Sequence, residues 1–107
     1  MGKVIIYSDL ALLTLNELVD ELYDKEYFGF KESAVDYTMK IVDFIEARID
    51  NPNIKLSKNK YKKYGRKYLK YKANQRTTWY IFFDDKDGKF LVNYIINNHS
   101  HTFSELL

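Results

Sequence analysis

The chain contains no cysteine, which excludes disulfides, thiolate metal sites and a cysteine nucleophile. With only four glycines there is no glycine-rich phosphate loop, and Gly65 by itself reads as a turn. No apolar run approaches the roughly 20 residues of a membrane span. The opening MGKVIIYSDLALLTL has a single lysine, is broken by Ser8 and Asp9, and runs into an acidic segment. It fits neither a signal peptide nor a membrane anchor, so no membrane is expected and the cytoplasm is the expected location. The most local absence is of acids: none occurs from residue 51 to residue 83.

What is present suits one folded unit. At 107 residues, 46% apolar and 30% charged, the chain is expected to form a single domain, 1–107, with a real core. Its net charge of +2 hides a strong polarisation. Residues 1–50 carry eleven acids and five bases, a net of −6; residues 51–83 carry ten bases and no acid; residues 84–107 carry four acids and two bases, a net of −2. The centre of the basic block is KYKKYGRKYLKYK, residues 60–72, with seven bases in thirteen positions. Such a block points to an anionic partner.

Periodicity orders the elements. KVIIY, 3–7, is a short β-branched strand ending at a Ser8-Asp9 helix cap. From Asp9 to about Tyr27, Leu10, Leu13, Leu15, Leu18, Val19, Leu22 and Tyr23 recur at helical spacing, with Gly29 as the exit. A second helix is expected from Lys31 or Glu32 to Ile49, burying Ala34, Tyr37, Ile41, Phe44, Ile45 and Ile49, and stopped by Asn51-Pro52. NIKLSKNKYKKYG reads as a loop or ragged strand, followed by strands RKYLKYK, RTTWYIFFD and KFLVNYIINNH. Ala73-Asn74-Gln75 and DDKDG, 84–88, supply the turns. The expected fold is α+β, β-α-α-β-β-β, a helical hairpin covering one face of a curled, mainly antiparallel sheet.

Strand alternation then divides the basic block. Leu69 and Tyr71 turn toward the helices with Lys67, and Tyr68, Lys70 and Lys72 turn to the open face, where Arg76, Thr78 and Tyr80 share the next strand's outward side. Lysines interleaved with tyrosines suit a phosphate backbone whose bases stack on rings. The plainer alternative is that lysines guard a strand edge beside the β-prone TTWYIFF. His99 and His101, the only histidines, end the last strand and are candidate proton carriers or simple surface residues. Two histidines with only Glu105 in reach make an incomplete ligand set, so neither metal nor cofactor is expected. Trp79 belongs in the core, and Glu17, Asp20, Glu21 and Asp24 on a solvated helix face.

The stretch KYKANQRTTWYIFFDDKDGKFLVNYIINNH, with its basic strand, turn, arginine-plus-aromatic strand and final strand ending near a histidine, resembles the RelE/ParE superfamily of bacterial type II toxin–antitoxin toxins. The element order extends that resemblance over essentially the whole length. It implies a toxin, with a role in plasmid stabilisation, that acts as a metal-independent, ribosome-dependent messenger RNA endoribonuclease. Arg76 matches the family's phosphate-binding arginine, Lys70 and Lys72 resemble its strand lysines, with Lys67 as the alternative if the turn differs by a residue or two, and His99, or else His101, falls at the C-terminal catalytic position. Lys60, Lys62, Lys63, Arg66, Lys67, Tyr68 and Tyr80 would contact the RNA. No glutamate lies between the second helix and Arg76, where some ribonuclease members keep a base, and the His-Tyr pair of some members is replaced by His101-Thr102-Phe103. Lysine-rich members lack that glutamate too. ParE-like members inhibit DNA gyrase without catalysis, so gyrase is the alternative target, and a non-toxic basic RNA-binding module is a third reading. A cognate antitoxin is the implied partner, docked on an apolar groove of the helical hairpin.

Overall fold

Val4–Tyr7 form strand β1, and the chain turns into a helix at Ser8 because that residue satisfies the helix start. The Ser8 hydroxyl accepts the Ala11 amide at 3.1 Å and donates to the Asn93 carbonyl at 2.9 Å. One side chain therefore caps the helix and ties it to the sheet. The computed structural model describes residues 3–24, 31–51, 54–57, 62–73, 75 and 77–98, with the side chains of 21–24 and 31–33 outside that description.

Helices α1 (Asp9–Asp24) and α2 (Lys31–Arg48) pack together on one side of a five-stranded sheet. Strands β2 (Lys55–Leu56), β3 (Lys67–Lys72), β4 (Thr78–Lys86) and β5 (Lys89–Asn97) follow, giving the order β1-β5-β4-β3-β2. Only β1 and β5 run parallel. The α+β architecture matches the sequence expectation, with a two-residue strand in the segment expected to be loop or ragged strand. The Gly29 link and Pro52 lie outside the described residues.

The core is the sandwich between the helices and the near sheet face. Ala11, Leu15 and Leu18 of α1, Ile41 and Ile45 of α2 and Ile49 just past its end meet Leu69, Trp79, Ile81, Phe83, Val92 and Ile95. The α2 stripe is the one its spacing predicts. On α1 it differs: Leu10 and Leu13 are half exposed, and Ala11 takes the inward position with no exposed surface. Seven apolar residues on one helix make a stripe wider than a single packed face, so periodicity leaves open which edge of it meets the sheet. Trp79 is core as expected, and its indole N–H donates to the Tyr37 hydroxyl at 3.1 Å, so the one polar atom of the ring is satisfied.

Two devices shape the sheet. Asp87 and Gly88 both take positive φ, 53° and 79°, and close the β4–β5 hairpin in two residues, as the mirror-image turns favoured by strand twist require. Between Phe82 and Phe83 the register slips, since Phe82 faces Tyr94 while Phe83 faces Val92, so Asn93 is an extra residue in β5. Its side-chain amide donates to Asp84 at 3.1 Å.

Tyr7 packs against the core, and its hydroxyl oxygen is buried with no hydrogen-bond partner among the described residues. Burial, and secondarily the negative charge of Glu46, push its phenol up to about 12. The folded protein thus holds this proton more tightly than the unfolded chain, whose phenol titrates near 10. The associated stability is intact below pH 10 and is lost as the pH rises from 10 through 12. In urea unfolding, wild type should lose about 1–2 kcal/mol more than Tyr7→Phe across that window, a value discounted for the ring's partial exposure. Near pH 7 Tyr7→Phe should cost nothing, because the buried hydroxyl it removes has no partner. Parallel pH curves for the two proteins would contradict this account.

Candidate nucleic-acid interface

The sheet face turned away from the helices carries the basic block. Pairing across β3 and β4 sets Tyr68 beside Phe82, Lys70 beside Tyr80 and Lys72 beside Thr78, while Leu69, Tyr71, Trp79 and Ile81 point into the core. The division of Lys70 and Lys72 from Leu69 and Tyr71 follows the period of two in RKYLKYK. Lys70 and Lys72 are both exposed and neither is paired with an acid among the described residues. Lys55, opposite Tyr68 on β2, adds a further exposed cation to this face.

Between these cations lies a continuous series of aromatic rings. Tyr80 and Tyr68 are 6.2 Å apart between centroids, Tyr68 and Phe82 5.8 Å, Phe82 and Tyr64 5.9 Å, and Tyr64 stacks on Tyr94 at 4.4 Å with an interplanar angle of 19°. The Lys63 ammonium sits 5.1 Å from the Tyr64 ring centroid. Phe82 is only 3% exposed although it faces away from the helices, because the rings of Tyr64 and Tyr68 lie against it. Burial, and secondarily Tyr68, push the Tyr80 phenol above its ordinary value. It is therefore neutral at physiological pH, and its ring can stack without placing a negative charge beside phosphate.

The turn Lys62–Tyr64 is fastened to the sheet. At Gly65 the backbone runs so close to β4 that a Cβ would lie 2.5 Å from the Phe83 nitrogen and 2.8 Å from its oxygen. Next to it the Asp84 carboxylate accepts the Arg66 backbone N–H at 2.9 Å and the Arg66 Nε at 3.4 Å, while its other oxygen takes Asn93. One acid thus holds both the turn and the bulge.

The residues expected to contact RNA therefore separate. Lys70, Lys72, Tyr68 and Tyr80 share the open face. Lys62 and Lys63 are exposed on the fastened turn at its margin. Arg66 is engaged by Asp84, and Lys67 belongs to the helix-side register, where it pairs with Asp85 at 3.0 Å. Lys60, Arg76, His99 and His101 lie outside the described residues. Sequence reasoning passed over Tyr64, Phe82 and Tyr94. Phe82 and Tyr94 sit opposite each other in paired strands, a signal available once the β4–β5 hairpin is aligned; Tyr64 lies in a turn with no period to reveal its direction.

Chemically, the face offers cations for phosphate and rings for bases, the combination that binds single-stranded nucleic acid. Compared with models of known protein families, with curated proteins and with solved structures, the chain matches none. No helix among the described residues is long and apolar enough to cross a membrane.

Proposed function

We propose that this chain is the toxin of a type II toxin–antitoxin pair and cleaves messenger RNA on the ribosome without a metal, holding the strand on the open face of its sheet. The observation that carries the proposal is the exposed pair Lys70 and Lys72, joined to no acid among the described residues, alongside the Tyr68–Tyr80 rings. Cleavage of this kind needs a base to take the 2′-hydroxyl proton, cations to hold the phosphate as negative charge builds, and an acid for the departing 5′-oxygen. Lys70 and Lys72 serve as the cations, joined by Arg76, and His99 carries a proton. Register places Lys72 at one end of the sheet. Lys72 is opposite Thr78, and Thr78 is bonded to Asn98 in both directions at 3.1 Å. Arg76 and His99 stand two and one residues from Thr78 and Asn98 in the sequence. A cognate antitoxin would neutralise the activity.

Expressed alone in bacteria, the chain should arrest growth and leave messages cut within codons. Arg76→Ala should relieve the arrest while the protein stays folded, since one charge-assisted phosphate contact is worth about 1.5–3 kcal/mol. Arrest with intact messages would eliminate the ribonuclease. If that arrest came with a DNA-damage response, unaffected by His99→Ala, gyrase would be the target. No arrest at all would leave an RNA-binding module.

A further inference from the structure

The two edges of the sheet are built differently. The β2 edge is only two residues long and carries Lys55, features that discourage pairing. The β1 edge, Val4–Tyr7, has no charge within it and projects Val4 and Ile6, 48% and 52% exposed, onto the open face beside Leu91 of β5. Of the nine large apolar side chains exposed among the described residues, three lie side by side along it: Val4, Ile6 and Leu91. Scattered exposed apolar residues need no explanation, but a concentration along one open edge marks an interface.

We propose that this edge pairs with β1 of a second copy of the chain, antiparallel and centred on Ile6, to make a continuous ten-stranded sheet. The backbone determines the register. Val4 and Ser8 direct their amides to Gly88 and Val92 of β5, so by alternation Ile5 and Tyr7 direct theirs outward. Two such edges match when Ile5 of each copy faces Tyr7 of the other, which exchanges backbone hydrogen bonds on both sides of a central Ile6–Ile6 pair. The same register brings Lys3 of each copy toward the start of α1 of the other, where Asp9 stands, so the ends are complementary in charge as well as in hydrogen bonding. Lys3 already meets Asp50 of its own chain at 3.1 Å and would lie between two carboxylates. This fit of the edge to itself singles out a second copy over a foreign strand. The two-fold axis runs perpendicular to the sheet, so both basic faces point to the same side, at opposite ends of the assembly.

The absence of native cysteine allows a direct test. Residues facing each other at a non-hydrogen-bonded antiparallel position have Cα atoms about 4.5 Å apart, within disulfide range. Ile6→Cys should therefore cross-link nearly completely under mild oxidant. Val4→Cys, about 13 Å from its counterpart in this register, should not. By sedimentation, wild type should run at twice the 12.8 kDa chain mass, Ile6→Lys as a monomer and Leu56→Lys, on the other edge, as a dimer. A monomeric wild type at tens of micromolar, failure of Ile6→Cys to cross-link, efficient cross-linking of Val4→Cys, or loss of the dimer only in Leu56→Lys would each overturn the proposal.

Discussion

Replacing Lys70 and Lys72 together by alanine is expected to weaken binding of single-stranded RNA by roughly 100-fold or more and to abolish growth arrest, if each makes a charge-assisted contact of about 1.5–3 kcal/mol to phosphate. Both side chains are exposed on the open face, and neither contributes to the core, so thermal unfolding should change little. The salt dependence separates this account from a general loss of charge. Each phosphate contact to a single strand contributes a slope of about 0.7 in log affinity against log salt, so losing two should flatten it by about 1.4. The control is Lys86→Ala/Lys89→Ala at the β4–β5 hairpin, which removes the same charge from two exposed lysines that flank the turn at the far end of those strands. Equal losses in the two double variants would mean that the position of the lysines along the sheet does not matter, and the end that holds Lys70 and Lys72 would lose its special role.

Tyr68 and Tyr80 allow the aromatic part to be separated from the cationic part. If the face binds RNA as proposed, the lysines would act on every sequence through the phosphate and the rings through the bases, so removing a ring should lower affinity while leaving the salt slope unchanged. Phe82 is the wrong ring to choose for that purpose. At 3% exposed it is the floor on which Tyr64 and Tyr68 rest, and its loss would unseat both.

Which parts of this arrangement can be read from residues follows from the range of the forces involved. In RKYLKYK the alternation of apolar and basic residues is local, and it sorts Leu69 and Tyr71 from Lys70 and Lys72 because a strand has a period of two and only one face of β3 is dry. TTWYIFF has no such alternation, because both faces of β4 are covered, one by helices and the other by tyrosines from β3, β5 and the turn. Its sequence is that of a central strand, without any mark of what does the covering. The bulge at Asn93 is likewise silent, since it depends on the Ser8 and Asp84 contacts, which are 85 and 9 residues away. Charge patterning marks out the basic region as a whole, but not its internal pairing. Asp84 falls just beyond the acid-free block, yet in the folded chain it sits against Arg66, and Asp85 does the same for Lys67. Two of the seven described cations in that block are therefore already engaged by acids, which leaves Lys70 and Lys72 prominent on the open face.

The turn that precedes that face rests on one missing side chain, and Gly65→Ala should be among the most damaging single substitutions in the molecule. The new Cβ would meet the Phe83 backbone nitrogen and oxygen at 2.5 and 2.8 Å. Neither atom can move aside as a flexible side chain would, because Phe83 is fully buried and paired to Lys67 on one side and Val92 on the other. The turn must yield instead. Lifting it withdraws Tyr64 from its 4.4 Å stack on Tyr94, uncovers Phe82 and strains the Arg66 amide bond to Asp84. Overpacking of this kind costs about 1–3 kcal/mol, and the lost contacts bring the expected total to about 3 kcal/mol or more. Gly88→Ala is the informative comparison. A Cβ there meets nothing within 4 Å, and the φ of +79° is the sole obstacle, so about 1 kcal/mol is expected. Urea midpoints for the two variants therefore measure collision against conformation. RNA affinity, measured where both remain folded, should fall only for Gly65→Ala, because only that turn carries Lys62, Lys63 and Tyr64. If Gly65→Ala unfolds no more readily than Gly88→Ala, the close approach to Phe83 is not what fastens the turn. If it is destabilised yet binds RNA as wild type does, the turn is a structural brace and the binding surface ends at Tyr68.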